Sequence, residues 1–462
     1  MKKFSFIIIA IITVVGIGFF FRFQSKKSLQ PDWIVYVVID TLRADHLHCY
    51  GYPRNTTPFI DNVARRGVVF YNAYSHSATT GPSHSSMFTS LYPYQHEVYS
   101  NRFILKNEFL TLAEYLKSKG YFTAAAVSVQ WMDKLNLNQG FKIFDQASNE
   151  RIEKRISPPY RPAAETVERL IEIIKERELY KKKAFLWIHL FDPHVPLVPP
   201  AEYISRLRKN NDREKMIEYL LNVQKIRLSP FKGNIESMYN HILRYDAEIA
   251  YADAQLARFY EFVRGKVGKK KVLWIITSDH GEGLGGHNWV LHAKYIYKEF
   301  VHVPLILLWE NFKIKPRRIN SLVGHVDLFP TITEIFKEDL NKKVKKTRGH
   351  SLLPLVLGKE KSLRKFIFAE REREEKDDIL CSLRNLKYSF FYNINGPEEF
   401  YDLENDPYET RNILGQDLKT SRKFMSLISR EIVALRKTQK GKNKKLRDKK
   451  TLEQLRSLGY VK

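Results

Sequence analysis

Carboxylate and imidazole side chains follow two apolar runs of the chain, close to the point where each run ends. Asp40 comes directly after Trp33–Ile39, and Asp279 and His280 come just after Val272–Thr277. In doubly wound sheets, ligands bind beyond the carboxyl ends of the strands, so we expect these three side chains at one edge of a sheet. An aspartate after a strand is most often a helix cap, so each residue alone is weak support for a site.

A hydroxyl group that would complete such a site lies in the serine- and threonine-rich segment 78–93. Gly81 and Pro82 are typical of a turn into a helix, which would place Thr80 beside backbone N–H groups at the positive helix end. A hydroxyl bound to a divalent cation becomes acidic enough to attack phosphorus or sulfur. On this segment alone, an ordinary helix-capping loop is the simpler interpretation.

Apolar runs of strand length alternate with stretches of helical length. Besides the two runs above, strands are predicted at 122–129, 184–190 and 303–309, and helices at 108–119, 165–178 and 239–263. This alternation is typical of an α/β fold with a mostly parallel sheet flanked by helices. From about residue 350 the pattern changes to short strands and turns, at 366–370, 381–384, 387–392 and 400–403. That change predicts a smaller antiparallel subdomain.

The N-terminal segment predicts a membrane anchor. Residues 4–21 form an uncharged apolar run of 18 residues with basic residues on both sides, long enough as a helix to cross a bilayer core. No small-residue cleavage site follows, which favours an uncleaved signal anchor. We therefore expect a single-pass protein of the cell membrane with its catalytic domain outside the cytoplasm. The predicted units are the anchor 1–27, the catalytic domain 28–349, the antiparallel subdomain 350–435 and a basic tail 436–462. The first part of that tail, 436–450, is expected to be flexible or to end a solvated helix.

The chain carries a net charge of +26. One explanation of this charge is a solvated lysine-rich surface. An equally good one is attraction to phosphate or sulfate esters, lipid headgroups or nucleic acid. Export disfavours nucleic acid, because an exported basic surface would face lipid or cell-wall polymers. The two cysteines, Cys49 and Cys381, lie too far apart for a zinc-finger spacing or a disulfide framework. The sequence leaves the oligomeric state open.

From residue 33 to its end, the chain resembles the sulfatases of the alkaline phosphatase superfamily. The segment at Thr80 is similar to their Cys/Ser-x-Pro-Ser-Arg nucleophile motif. Further matches are the opening signature at 39–51 and 57–61, the second metal motif at 278–282, the C-terminal signature at 401–414 and the ending at 455–461. The resemblance implies an alkaline phosphatase-like, mostly parallel sheet with a smaller C-terminal antiparallel α+β subdomain. It also implies an ester-cleaving enzyme with one divalent metal ion.

The resemblance assigns roles to individual positions. The implied metal ligands are Asp40, Thr80, Asp279 and His280. Thr80 is the implied nucleophile, and His194 falls where such enzymes place a histidine beside the leaving group. The implied substrate-binding residues are His84, His292 and Lys294, although a solvated surface lysine is an equal interpretation of Lys294. His189 and His325 are expected to be structural, with a place in the pocket as the alternative.

Several positions depart from the sulfatase pattern. Threonine at position 80 cannot be oxidised to formylglycine, because its β-carbon carries a methyl group. His84 replaces the motif arginine, Thr41 stands where a second aspartate is usual, and His280 replaces an asparagine. A lysine and a histidine of the sulfate pocket are also missing after 119–124. Two carboxylates, an imidazole and a hydroxyl favour zinc or manganese, with calcium as the alternative.

These departures favour a metal-dependent hydrolase or transferase of sulfate or phosphate esters, with Thr80 as the metal-bound nucleophile. Its substrate would be an anionic ester of a lipid headgroup or a glycan. One alternative is a sulfatase that works without formylglycine, and another is a catalytically silent protein that binds a headgroup or glycan. A two-metal site would need a further carboxylate and two histidines. The only obvious sources are Asp192, His194, His292 and His325, and their spacing along the chain does not support a second site. One metal ion is therefore expected.

Overall fold

The computed structural model describes residues 29–154, 156–209, 213–344, 347–371, 380–438, 445 and 448–457. The predicted anchor, residues 1–27, lies outside this part of the chain. Across the described ranges, no helix combines the length and the apolar character that crossing a membrane requires.

A mixed sheet forms the centre of the large domain. Its strands are β1 Trp33–Ile39, β2 Val68–Tyr74, β3 Phe122–Val127, β4 Ile143–Gln146, β5 Ala184–Leu190, β6 Val272–Thr277, β7 Leu305–Glu310 and β8 Arg317–Gly324. They lie in the order β4-β3-β5-β1-β6-β7-β2-β8. β7 runs antiparallel to β6 and β2, whereas the other neighbouring pairs are parallel. The predicted α/β class with a mostly parallel sheet is confirmed.

The central strands are apolar throughout because helices cover both faces of the sheet. All seven residues of β1 are buried, and they alternate between two cores. Trp33, Val35 and Val37 belong to one core, and Ile34 and Tyr36 to the other.

The helices are α1 Pro58–Arg66, α2 Thr80–Thr89, α3 Pro93–His96, α4 Leu112–Ser118, α5 Glu150–Glu153, α6 Ala163–Glu176, α7 Ala201–Lys209, α8 Arg213–Glu218, α9 Ile235–Val267, α10 Lys298–Val301, α11 Leu328–Ile335, α12 Leu353–Val356, α13 Leu418–Thr438 and α14 Lys449–Ser457.

Several element starts differ from the sequence prediction, and two of them have clear local reasons. α4 begins at Leu112 because Thr111 caps it, accepting a hydrogen bond from the backbone of Glu114, whose carboxylate accepts one in return. β7 begins at Leu305 because the preceding residue, Pro304, has no N–H to donate to a neighbouring strand.

The predicted C-terminal subdomain is an antiparallel sheet in the order β12-β11-β10-β9. Its strands are β9 Ile367–Glu370, β10 Leu380–Arg384, β11 Tyr388–Asn393 and β12 Glu399–Asp402. α13 covers one face through Phe424, Ile428 and Ile432. Glu409 joins this subdomain to the large domain, because its Oε2 accepts a hydrogen bond from the Lys298 backbone at 2.7 Å.

The end of the chain, within the predicted basic tail, contains a packed helix. α14 lies within this region, and its Leu455 is 0% exposed in the core beneath β1 and β5. Leu452, three residues earlier, packs against the same core. The apolar spacing of these two leucines gives α14 a face that is stabilised by burial, so this part of the tail packs against the large domain.

Candidate functional site

The carboxyl ends of β5, β1 and β6 bring the predicted ligands to one edge of the sheet. Val38 is paired with His189 of β5 and with Thr277 of β6. Asp40 and Asp279, two residues beyond these paired positions, therefore leave the sheet side by side, with the His189 side chain beside them. This is the edge at which doubly wound sheets bind ligands.

Thr80 reaches this edge from the first position of α2, whose residues are all buried. Its Oγ1 lies 3.4 Å from Asp40 Oδ2 and 3.4 Å from His280 Nε2. His280 Nε2 in turn lies 3.4 Å from Asp279 Oδ2. The structure thus brings together the four implied metal ligands, and each of them is 0% exposed.

These separations fit the ligands of a cation better than they fit hydrogen bonds. Hydrogen bonds between such atoms are about 2.7–3.2 Å long, whereas two ligands about 2.0–2.1 Å from a tetrahedral ion lie roughly 3.4 Å apart. Asp40 Oδ1 and Asp279 Oδ2 are buried without a hydrogen-bond partner among the described residues. His280 Nδ1 donates to the Gly281 carbonyl at 2.9 Å, which leaves the Nε2 lone pair for a metal ion. The residues present therefore fit a divalent cation.

The backbone around the cluster fixes how Asp279 is turned. Asp279 Oδ1 accepts hydrogen bonds from the backbone of Thr41 at 3.2 Å and of His280 at 2.8 Å. Its Oδ2 consequently faces the cluster. Thr41 has a positive φ of 55°, which is strained for a β-branched residue and typical of functional sites. Gly281 is required by close approach, since a Cβ there would lie 2.0 Å from the Glu299 carbonyl oxygen.

The electrostatics of the cluster call for positive charge. Burial and the neighbouring Asp279 carboxylate raise the pKa of Asp40. Burial would also raise the pKa of Asp279, but the adjacent histidines, His280 first, lower it to about 2. Burial would lower the pKa of His280, but the two carboxylates raise it. Two buried carboxylates facing each other are costly unless a cation offsets them.

A row of histidine rings leads away from Thr80. His280 contacts His292 at a ring-centre distance of 4.6 Å, and His292 contacts His194 at 4.8 Å. Phe191 stacks on the far side of His194 at 4.1 Å. His292 is held by Glu282, whose Oε2 lies 3.2 Å from its Nδ1. The sequence did not single out Glu282, although it belongs to the same Ser278–Glu282 motif as the ligands.

His84 and His189 lie against the two carboxylates. His84 Nδ1 donates to the Thr80 carbonyl at 2.9 Å and lies 3.8 Å from Asp279 Oδ2. His189 Nε2 lies 3.2 Å from Asp40 Oδ2. His189 was expected to be structural, and only its place near the end of a strand hinted at the site. Burial lowers the pKa of His84 to about 3 and that of His189 to about 4, so both rings are neutral near pH 7.

The other predicted residues lie outside the cluster: Lys294 and His292 lie nearer the surface, and His325 contacts the cluster through Ser83. Lys294 is exposed, and its Nζ lies 4.2 Å from the ring centre of Trp289. His292 is 9% exposed, so the side of the site that carries His292 and Lys294 is the side nearest solvent. His325 lies next to the cluster through Ser83, whose Oγ is 3.2 Å from His325 Nδ1 and donates to the Asp279 carbonyl.

The segment between α7 and α9 packs against the loop that carries these residues. The Arg227 backbone donates to the Gly285 carbonyl at 3.0 Å. An added Cβ at Gly285 would lie 2.8 Å from the Phe231 ring. This segment therefore borders the loop that carries His292 and Lys294.

Comparison with known proteins identifies the family. The Sulfatase family model matches residues 32–338, and the model of the N-sulphoglucosamine sulphohydrolase C-terminal domain matches residues 285–438. An ulvan-active sulfatase of Formosa agariphila is 22% identical, over 84% of this chain and 77% of its own length.

Two solved structures share the fold. One is yidJ from Bacteroides fragilis, a protein assigned as a sulfatase, with a TM-score of 0.75, 21% identity and coverage of 89% of this chain and 97% of that one. The other is a phosphonate monoester hydrolase of Agrobacterium radiobacter, with a TM-score of 0.67, 19% identity and coverage of 88% and 95%. The chain belongs to the Sulfatase family and is an ester hydrolase of the alkaline phosphatase superfamily.

Proposed function

We propose that the protein cleaves anionic phosphorus esters by a metal-dependent reaction in which Thr80 is the nucleophile. The observation that carries this proposal is the position of Thr80 Oγ1, 3.4 Å from both Asp40 Oδ2 and His280 Nε2. A threonine cannot supply the formylglycine of sulfatases, but its hydroxyl can attack phosphorus directly.

A divalent cation, zinc or manganese in preference to calcium, would be held by Asp40, Thr80, Asp279 and His280. When bound, it would make the Thr80 hydroxyl more acidic and offset the negative charge of the ester. One imidazole with three oxygen ligands supports this preference, since calcium takes six to eight oxygen ligands.

In the first step, Thr80 Oγ1 forms a bond to phosphorus and passes its proton to Asp40 Oδ2, the carboxylate oxygen 3.4 Å away. The bond from phosphorus to the leaving oxygen breaks, and His194 gives a proton to that oxygen. In the second step, water attacks the phosphothreonine and returns a proton to His194. The Thr80 oxygen leaves phosphorus and regains its proton from Asp40, so the cycle closes with all protons accounted for.

His194 suits this role because of its hydrogen bond. Its Nδ1 donates to the Val195 carbonyl at 2.6 Å, which leaves Nε2 as the nitrogen that exchanges a proton. In the free protein, burial and the neighbouring His292 lower the pKa of His194 to about 3. Binding of an anionic ester would raise that pKa and protonate His194 when substrate is present.

The substrate class proposed is an ester whose anionic end reaches Thr80 past His292 and Lys294. Lys294 would contact the anion nearer solvent, whereas His84 is neutral and donates its one N–H to the Thr80 carbonyl, so it would lie beside the anion without donating to it. The alcohol portion, a lipid headgroup or a glycan, would lie against the segment 196–240 outside the buried cluster.

The test is turnover of the full-length protein on matched nitrophenyl phosphate, phosphodiester, phosphonate and sulfate esters with zinc, manganese or calcium. We expect Thr80→Val to lower kcat on the best phosphorus ester at least about 1,000-fold, and Thr80→Ser to retain part of the activity. Thr89→Val is the matched control, because Thr89 is buried in the same helix and its hydroxyl donates only locally, to Ser85. Unchanged turnover of Thr80→Val would refute the proposal.

A sulfate ester is the second candidate substrate, because the family model and the ulvan-active relative are both of sulfatases. Thr80-dependent turnover of the sulfate ester alone would favour it. Turnover of none of the esters, together with no metal in the purified protein, would favour a silent protein that binds a headgroup or glycan.

The location of the protein is a further part of this proposal. The apolar run at residues 4–21 would hold the catalytic domain at the outer face of the cell membrane. Fractionation of full-length protein and of residues 28–462 tests it. Recovery of both forms in the soluble fraction would contradict the anchor.

A further inference from the structure

A second group of potential ligands lies beside Asp279, and one of its members, His84, belongs to the same helix as Thr80. One ligand atom each from His84, His189 and Asp279 lies within 4.8 Å of the other two, and all three residues are buried. The first group, formed by Asp40, Asp279 and His280, satisfies the same criterion. Asp279 belongs to both groups.

One histidine of the second group, His84, is held as metal-binding histidines usually are. His84 Nδ1 donates to the Thr80 carbonyl at 2.9 Å, just as His280 Nδ1 donates to the Gly281 carbonyl at 2.9 Å. This second hydrogen bond fixes the tautomer of the ring and leaves the other nitrogen as a lone-pair donor. His84 Nε2 is buried and has no hydrogen-bond partner among the described residues.

The carboxylates have the arrangement that a shared site requires. Asp279 Oδ1 is taken by two backbone N–H groups, whereas Oδ2 lies 3.4 Å from His280 Nε2 and 3.8 Å from His84 Nδ1. Asp40 Oδ2 lies 3.2 Å from His189 Nε2 and 3.4 Å from Thr80 Oγ1. Each carboxylate thus lies close to a residue of the first group and to a histidine ring of the second. Among the described residues, His84 Nε2 and His189 Nδ1 are the ring nitrogens of these histidines that have no hydrogen-bond partner.

We propose that His84, His189 and Asp279 form a second divalent-cation site that shares Asp279 with the first, so that the protein holds two metal ions. Two imidazoles and a carboxylate are a ligand set that zinc and manganese accept, and one position stays open for water or an ester oxygen. Two ions sharing a carboxylate would bind both the attacking and the leaving oxygen of an ester. The site replaces the expectation of a single ion, and it does not depend on Thr80 being the nucleophile.

Metal content tests this directly. Full-length protein is stripped with a chelator, dialysed against zinc or manganese, and analysed for bound metal per chain. We expect two equivalents, and in the manganese form an electron paramagnetic resonance spectrum of two exchange-coupled ions. One equivalent at saturation with an uncoupled spectrum would overturn the proposal and leave His84 and His189 as hydrogen-bond partners of the carboxylates. Both measurements use the unmodified chain, so they decide the matter even where a variant fails to fold.

Substitutions test whether His84 and His189 bind the second ion. His84→Gln and His189→Gln should each lower the metal content from two equivalents to one and remove the exchange coupling. His96→Gln is the matched control and should retain two equivalents, because His96 is equally buried but pairs with Ser86. Full metal content in both ligand variants would overturn the assignment. Metal content and ester turnover are independent readouts, so two ions without Thr80-dependent turnover would contradict only the proposed reaction.

Discussion

Thr80 Oγ1 and His280 Nε2 lie 3.4 Å apart although 200 positions separate the two residues. The contact forms because α2 begins at the edge of the sheet where β6 ends. His280 is also one of the positions at which this chain departs from the sulfatase pattern, which has an asparagine there. The identity of residue 280 should therefore set the metal preference of the Thr80 site.

We expect His280→Asn to weaken zinc and manganese binding at least about 10-fold, the change that about 1.4 kcal/mol produces. Calcium binding should weaken less or strengthen, because an amide oxygen replaces an imidazole nitrogen. Calorimetric titration of the metal-free protein with each ion measures the three affinities. His302→Gln is the control, since His302 lies outside the cluster and contacts the Tyr71 carbonyl. An equal loss for all three ions would contradict the prediction.

His194 should matter in proportion to how poor the leaving group is. A nitrophenolate leaves without help, whereas an alkoxide needs a proton at the moment the bond breaks. We expect His194→Ala to lower kcat on an alkyl ester at least about 100-fold more than on the matched nitrophenyl ester. Steady-state kinetics on a series of leaving groups measures this difference. Equal losses across the series would show that His194 does not protonate the leaving oxygen.

The strands, and the meeting of Asp40, Asp279 and His280 at one edge of the sheet, could be predicted from the sequence because each depends on local pattern. β1, β5 and β6 are unbroken apolar runs, and the positions after β1 and β6 carry the acids. The position of His189 beside Asp40 could not be predicted, because it depends on β5 lying next to β1 in the sheet.

The search for a second metal site illustrates the same limit. The sequence offered only Asp192, His194, His292 and His325 for such a site, with no spacing to support it, whereas the structure brings His84 and His189 close to Asp279. His84 arrives from α2 and His189 from β5, and no sequence pattern links a helix start to a strand end across a sheet. The packing of α14 could not be predicted either, because Leu455 packs into a core formed by residues far from it in the sequence.

Two buried carboxyl groups near the His194 loop should make stability fall as pH rises. Burial, and then the charge of Asp192, raise the pKa of Glu248 to about 9. A carboxyl with a raised pKa in the folded state binds its proton more tightly than in the unfolded chain. Its stabilising contribution is complete below the unfolded value near 4.5 and is lost as pH rises through 9.

We expect Glu248→Gln to remove this pH dependence of stability. Between pH 6 and pH 9, the unfolding free energy should fall on the order of 2 kcal/mol less in the variant than in the wild type. Urea unfolding at several pH values measures it. Glu168→Gln is the control, because Glu168 forms an exposed ion pair with Arg258, a kind of pair that contributes little. Parallel curves for the wild type and Glu248→Gln would contradict the prediction.

His287 should stabilise the junction between the two domains only while it is protonated. Its Nδ1 donates to Glu299 and its Nε2 to the Glu409 carbonyl at 2.8 Å, so both ring nitrogens carry protons. Burial would lower the pKa of His287, but Glu299 and the Glu409 carbonyl raise it to about 9. Tyr297 stacks on the ring at 3.7 Å and holds it in place.

A histidine with a raised folded pKa contributes stability that is complete below its unfolded value near 6.5 and is lost as pH rises through 9. Between pH 7 and pH 10 we therefore expect His287→Gln to lose on the order of 2 kcal/mol less unfolding free energy than the wild type. Because Glu409 belongs to the C-terminal subdomain, proteolysis at the junction should rise with pH in the wild type and be high at both pH values in the variant. His48→Gln is the control, since His48 is exposed. If the wild type and His287→Gln lose stability equally, His287 is not the cation that joins the domains.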